Sequence, residues 1–104
     1  MKKNLKLYYA TEENCYEGEK LGVFSNMNEV KEVLAGYIAE DMDYAGLTNN
    51  RHSELIETMV NETINKGSIQ FENVSDYVVV YIITTDGRKA RKEIAEMRRN
   101  CIDF

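Results

Sequence analysis

Residues 77–84, with the sequence YVVVYIIT, decide the fold of this chain. The stretch consists of β-branched and aromatic residues and carries no charge, which is typical of a β-strand. Both of its alternating sides are apolar, so each side needs an apolar partner layer. The stretch therefore predicts a central strand in a sheet that is covered on both faces.

Three shorter strands are predicted around this one. Alternating apolar residues indicate strands over residues 5–10 and 21–24, separated by a polar, acidic hairpin connection. A further strand contains Ile69 and Phe71, and the turn residues that follow it lead into residues 77–84.

Amphipathic helices fill the remaining segments. Asn26 stands three residues before Glu29, the spacing of a capping box, and begins a helix that we expect to end at Gly46. A polar connection over residues 47–52 precedes a second helix, capped by Ser53 and stopped by Gly67. The predicted helices cover residues 27–46, 53–66 and 88–100.

The resulting order, ββααββα, predicts an α+β fold. We expect a single layered domain over residues 1–104, with a mostly antiparallel four-stranded sheet packed by helices. At 12.0 kDa the chain is long enough for one hydrophobic core.

Composition narrows the class of protein further. Hydrophobic residues make up 43% of the chain and charged residues 30%, which excludes a disordered or collagen-like chain. No apolar run is long enough to span a bilayer, and the N-terminus lacks the apolar core of a signal peptide. Two cysteines are too few for a disulfide framework. We therefore expect a cytoplasmic protein with no membrane partner.

The net charge of −5 is unevenly distributed. Residues 1–11 carry +3, residues 12–76 carry −10 and residues 77–104 carry +2. An acidic middle argues against general coating of nucleic acid, which favours basic domains. An acidic segment can instead form a surface that competes with nucleic acid for a basic groove on another protein.

Acidic residues form two groups within this middle segment. The first lies in the hairpin connection and the second at the end of the first helix, where anions oppose the helix dipole. Nearby tyrosines are candidate aromatic anchors for a partner. The predicted partner-binding residues are Glu12, Glu13, Glu17, Glu19, Glu40, Asp41, Asp43, Tyr16 and Tyr44.

The last helix carries a second candidate surface. Ala90, Ile94, Met97 and Cys101 form an apolar stripe at helical spacing, and basic residues occupy the opposite side. This basic arc is either a solvated helix face or a phosphate-binding surface. Its residues are Arg88, Arg91, Lys92, Arg98 and Arg99.

No catalytic or metal-binding constellation is found in the sequence. His52 is the single histidine, and Cys15 has acidic neighbours that disfavour a reactive thiolate. Gly-rich phosphate-binding loops are absent. We expect a non-enzymatic protein without cofactor or metal.

The N-terminal forty residues carry a resemblance. The segment LKLYYAT at residues 5–11, followed by LGVFS at residues 21–25 and a capped helix, resembles small proteins of phages and mobile elements in low-GC bacteria. Several acidic proteins of this kind are anti-CRISPR inhibitors. The resemblance implies an anti-defence protein that binds a CRISPR effector in the host-cell cytoplasm, and it carries over no functional residues.

Three functions remain open from the sequence. The leading hypothesis is a phage-type inhibitor that occludes the nucleic-acid channel of a CRISPR effector or a similar host nuclease. The first alternative is a nucleic-acid or nucleotide-binding protein that acts through the basic arc, either alone or across a homodimer. The second is a small accessory subunit whose apolar surfaces complete a larger assembly.

Overall fold

The computed structural model describes residues 4–43 and 50–102. Within these ranges the chain forms four strands and three α-helices in the predicted order ββααββα, with a short 3₁₀-helix at Glu12–Asn14. The α+β class is confirmed. The strands are β1 (Leu5–Thr11), β2 (Glu19–Phe24), β3 (Ser68–Glu72) and β4 (Val78–Thr84), and the helices are α1 (Met27–Asp41), α2 (Asn50–Lys66) and α3 (Gly87–Ile102).

The uncharged strand β4 lies inside the sheet, as its sequence predicts. The strand order is β2-β1-β4-β3, and every neighbouring pair is antiparallel. Tyr81, in the middle of β4, is paired with Tyr9 of β1 on one side and with Ile69 of β3 on the other. Both hydrogen-bonding edges of the most apolar strand are therefore occupied, which leaves β2 and β3 as the edges of the sheet.

Helices cover both faces of the sheet. Val79 and Tyr81 of β4 pack in one core with residues of α1 and α2, including Leu34. Val80, one position along, packs on the other face against Ile94 of α3. The alternation of a strand sends successive side chains to opposite faces, so the continuous apolar run is explained by this two-sided cover.

Helix α1 begins as predicted and ends early. The Asn26 side chain accepts a hydrogen bond from the Glu29 N–H at 3.0 Å, and the Glu29 carboxylate accepts one from the Ser25 N–H at 3.2 Å. The predicted end at Gly46 is wrong because α1 stops at Asp41. Asp43 adopts a left-handed φ of 58°, which a right-handed helix cannot contain.

Helix α2 begins earlier than predicted. It already includes Asn50, so Ser53 lies inside the helix rather than at its N-cap, and residues 50–52 do not belong to the connection. The apolar side of the helix packs against the core below the sheet. Its predicted end is confirmed, since Gly67 has a φ of 87° and its N–H donates to the Thr63 carbonyl at 2.7 Å.

Other boundaries shift by a few residues. β2 begins at Glu19, β4 at Val78, and α3 runs from Gly87 to Ile102. Across residues 4–43 and 50–102, none of the helices combines the length and the apolar character needed to cross a bilayer.

Candidate functional site

The two predicted acidic groups meet at one end of the sheet. β1 leads into the 3₁₀-helix there, and Glu19 at the start of β2 pairs with Tyr9 of β1. The end of α1 reaches the same place, because the Val74 N–H in the β3–β4 turn donates to the Asp41 carbonyl at 2.8 Å. Four chain segments thus bring their acidic side chains together.

We define the acidic end of the molecule by the exposed carboxylates of these four segments. Two of them, Glu72 at the end of β3 and Asp76 in the β3–β4 turn, escape prediction from the sequence because only the folded chain brings that turn beside α1. The ion pairs of residues 4–43 and 50–102 do not include any member of the set. The acidic end consists of Glu13, Glu19, Glu40, Asp43, Glu72 and Asp76.

Tyr9 is the aromatic side chain within the acidic end. It is half-buried, and its ring packs on that of Tyr81 with the centroids 5.1 Å apart. Burial raises the pKa of Tyr9, and the negative charges of Asp41, Glu13 and Glu19 raise it further. These carboxylates therefore lie close enough to act on the Tyr9 hydroxyl.

Asp41 is a structural residue rather than a free member of an acidic surface. It is half-buried, and its carboxylate accepts a hydrogen bond from the hydroxyl of the buried Tyr81. Burial raises the pKa of Asp41, the Tyr81 hydrogen bond lowers it, and the charge of Glu40 raises it. The contact ties the end of α1 to the central strand.

Glu12 and Glu17 also have partners within the chain. The Glu12 carboxylate accepts a hydrogen bond from the Val78 N–H at 2.7 Å, at the start of β4. Glu17 is exposed and forms an ion pair with Arg98 at 3.4 Å. Of the seven predicted acids, the structure leaves Glu13, Glu19, Glu40 and Asp43 open to a partner.

Tyr16, one of the two predicted aromatic anchors, lies away from the acidic end. Tyr16 has a left-handed φ of 57° and is half-buried against the core between the sheet and α3. Tyr44 lies outside the described residues. The structure instead places Tyr9 beside these acids, and only strand pairing identifies it.

The basic arc of α3 is exposed along its full length. Ala90 and Ile94 are buried and Met97 and Cys101 half-buried, which confirms the predicted apolar stripe. Arg91 and Arg98 border a groove of about 330 Å³ between α3 and the sheet. The other three members of the arc, Arg88, Lys92 and Arg99, lie outside this groove.

The two cysteines are neighbours although 86 positions separate them in the sequence. A hydrogen bond between the thiols raises the pKa of Cys101, and burial raises it further. Both thiols are free and half-buried. In the described part of the chain, no three His, Cys, Asp or Glu side chains are arranged to hold a metal ion.

Comparison with protein-family models, with curated proteins and with solved structures finds no match to this chain. The geometry offers two charged surfaces on different sides of the sheet. The acidic end gathers exposed side chains from four segments, and the second surface borders a groove beside α3.

Proposed function

We propose that this protein is a non-enzymatic inhibitor whose acidic end covers a basic nucleic-acid channel in a partner protein. The partner class that fits is a CRISPR effector or a similar host nuclease, and the inhibitor is of the phage type. One observation carries the proposal: six exposed carboxylates converge from four segments without an ion pair to any described residue.

The electrostatics of the acidic end favour binding to a cationic groove. Like charges held together repel one another, and they cost folding stability unless a partner neutralises them. Glu40 and Asp43 add a second cost, because they lie at the C-terminus of α1, where the helix dipole favours cations. A basic channel lined by Lys and Arg would relieve both costs.

Tyr9 supplies an anchor of the type that dominates binding energy at interfaces. Its ring is held by Tyr81, so little side-chain freedom is lost on binding. Its hydroxyl lies among carboxylates and can contact a cation or an amide of the partner. Steering by the acids would make association fast and sensitive to salt.

The proposal is tested by plating a targeted phage on cells that carry an active CRISPR system and express this protein. The triple variant Glu19→Lys, Glu40→Lys, Asp43→Lys should abolish protection of the phage. A matched control, Glu32→Lys, Glu54→Lys, Glu57→Lys, makes the same change in net charge on exposed helix positions outside the acidic end and should retain protection.

Two results would contradict the proposal. One is a wild-type protein that protects phage from none of the effector types tested. The other is equal loss of protection in the acidic-end variant and the control, which would assign the effect to overall charge. Urea denaturation of both variants establishes that they are folded.

The alternatives differ in their support. Nucleic-acid or nucleotide binding through the arc of α3 is favoured by the groove that Arg91 and Arg98 border. The accessory-subunit hypothesis depends on apolar surfaces that need a partner, and both faces of β4 are covered within the chain. A homodimer stays a prediction, checked by the mass of the protein in size-exclusion chromatography.

A further inference from the structure

A groove separates α3 from β1 and the segment that leads into β2. Its volume of about 330 Å³ lies at the small end of the range of ligand sites, roughly 300–1,000 Å³. Ile94, Ala95 and Gly18 form its apolar part. A Cβ at Gly18 would stand 2.7 Å from Cδ1 of Ile94, so the glycine permits this close approach to α3.

Tyr8 contributes a hydroxyl to the groove. The residue is 5% exposed, and its hydroxyl has no hydrogen bond to any residue of the described ranges. Because Tyr8 lines the groove, an oxygen of a ligand placed there would supply the missing partner.

Cationic side chains line the groove together with Tyr8. The Tyr8 oxygen and Nη1 of Arg91 lie 2.6 and 3.5 Å from one point, the position that a Cβ on Gly87 would occupy. Lys20 is opposite Tyr8 in the β1–β2 register and also lines the groove. Neither Arg91 nor Lys20 has an ion pair with the described residues. One hydroxyl and two cations without an ion pair therefore line the same groove.

We propose that this groove binds a nucleotide, with its phosphate held by Arg91, Lys20 and the Tyr8 hydroxyl. Phosphate accepts hydrogen bonds from hydroxyl, ammonium and guanidinium groups, and a guanidinium binds it in a bidentate manner. The base lies along the apolar part of the groove, against Ile94 and the ring of Tyr16. The nucleotide comes either from the free pool or from the phosphorylated end of a nucleic acid.

The proposal is tested by isothermal titration of the protein with three probes. These are adenosine monophosphate, inorganic phosphate and a 5′-phosphorylated thymidine hexamer, each at about 50 mM and about 200 mM NaCl. We expect saturable binding of the monophosphate that weakens with salt, and weaker binding of inorganic phosphate. Tighter binding of the hexamer than of the monophosphate identifies a nucleic-acid end as the source, and the reverse identifies the free nucleotide.

Two variants and one control locate the site. Tyr8→Phe should weaken binding about tenfold, the loss of one hydrogen bond to a charged group, while its urea midpoint stays unchanged because the hydroxyl has no partner in the fold. Arg91→Gln should weaken binding at least as much. Lys89→Gln removes the same charge from an exposed position on α3 outside the groove and should leave binding unchanged.

Three results would overturn the proposal. They are no saturable binding of the monophosphate or the hexamer at about 1 mM, equal affinity for inorganic phosphate and the monophosphate, and equal weakening by Lys89→Gln and Arg91→Gln. None of them bears on the acidic end, which lies outside the groove, so this proposal and the inhibitor proposal fail independently.

Discussion

A single hydrogen bond, from Tyr81 to Asp41, joins the central strand to the end of α1. Tyr81 is 1% exposed and is the largest fully buried side chain among the described residues. Its ring also contacts Tyr9, Tyr37 and Phe71. Burying so large a side chain requires a partner for its hydroxyl, and the half-buried carboxylate of Asp41 meets that requirement. An acidic residue that the sequence suggests for binding is thus needed by the fold.

Tyr81→Phe should therefore destabilise the protein. The substitution keeps the ring and leaves the Asp41 carboxylate without its donor, so we expect the free energy of unfolding to fall by about 1–2 kcal/mol in urea denaturation. Tyr77→Phe is the control, because Tyr77 is exposed and should change stability by less than about 0.5 kcal/mol. Equal effects of the two substitutions would mean that the hydroxyl of Tyr81 contributes nothing.

Asp41 should also give stability a dependence on pH. Burial raises its folded-state pKa above the ordinary value of 3.8, so the folded chain holds a proton there that the unfolded chain has already lost. Its contribution to stability is complete below pH 3.8 and is lost as the pH rises through the raised pKa.

Asp41→Asn removes this titration and leaves an amide oxygen to accept the Tyr81 hydrogen bond. The stability of the variant relative to wild type should therefore increase as the pH rises from about 3.5, and become constant at neutral pH. Urea denaturation at a series of pH values measures the difference. A difference that falls with rising pH would show that the folded-state pKa of Asp41 is lowered instead.

At the scale of elements, helix α1 is bounded by a local signal at its start and by a tertiary contact at its end. Its start is set by Asn26, whose side chain satisfies the Glu29 N–H. Its end is set by Asp43 in the left-handed region and by the contact of the Asp41 carbonyl with Val74. The start is local and was therefore predictable, whereas the end depends on a turn 30 residues away.

Asn26→Ala should accordingly cost about 1 kcal/mol in the free energy of unfolding, because it removes the N-cap. Asn28→Ala is a matched control, since Asn28 is exposed one residue inside the helix and accepts no capping hydrogen bond. Thermal or urea denaturation compares the two. Equal losses of stability in both variants would mean that the effect comes from replacing an asparagine anywhere in this segment and not from removing the N-cap.

The same distinction between local sequence signals and tertiary contacts explains how much of the fold was predictable. The uncharged run of β4 and the apolar stripe of α3 indicate directly which residues are buried. Element order, fold class and the presence of helices on both faces of the sheet follow from such patterns. Strand order and the internal partners of Glu12 depend on pairing between distant segments, which no local pattern encodes. Likewise, the sequence separates Tyr8 from Arg91 by 83 positions, and only the packing of α3 on β1 brings them to one groove.

For the whole molecule, charge is separated between two sides. The acidic end concentrates negative charge where α1 and the β3–β4 turn meet, and α3 presents its cations on the other face of the sheet. The ion pair of Arg98 with Glu17 is exposed and therefore contributes little to holding the two sides together. A molecule arranged in this way orients itself in the field of a charged partner before contact.

This separation predicts that the acidic end lowers the stability of the free protein. The triple variant Glu19→Gln, Glu40→Gln, Asp43→Asn should raise the free energy of unfolding by about 0.5 kcal/mol at low ionic strength, because it removes repulsion between exposed carboxylates. The gain should vanish near 1 M NaCl, where the Debye length is about 3 Å.

Glu62→Gln is the contrasting control, since Glu62 forms an ion pair with Lys66 at 2.8 Å and its loss should lower stability slightly. Urea denaturation at both salt concentrations measures these differences. A triple variant that is less stable than wild type at low salt would show that the acids are compensated within the fold, and it would remove the electrostatic reason for a cationic partner.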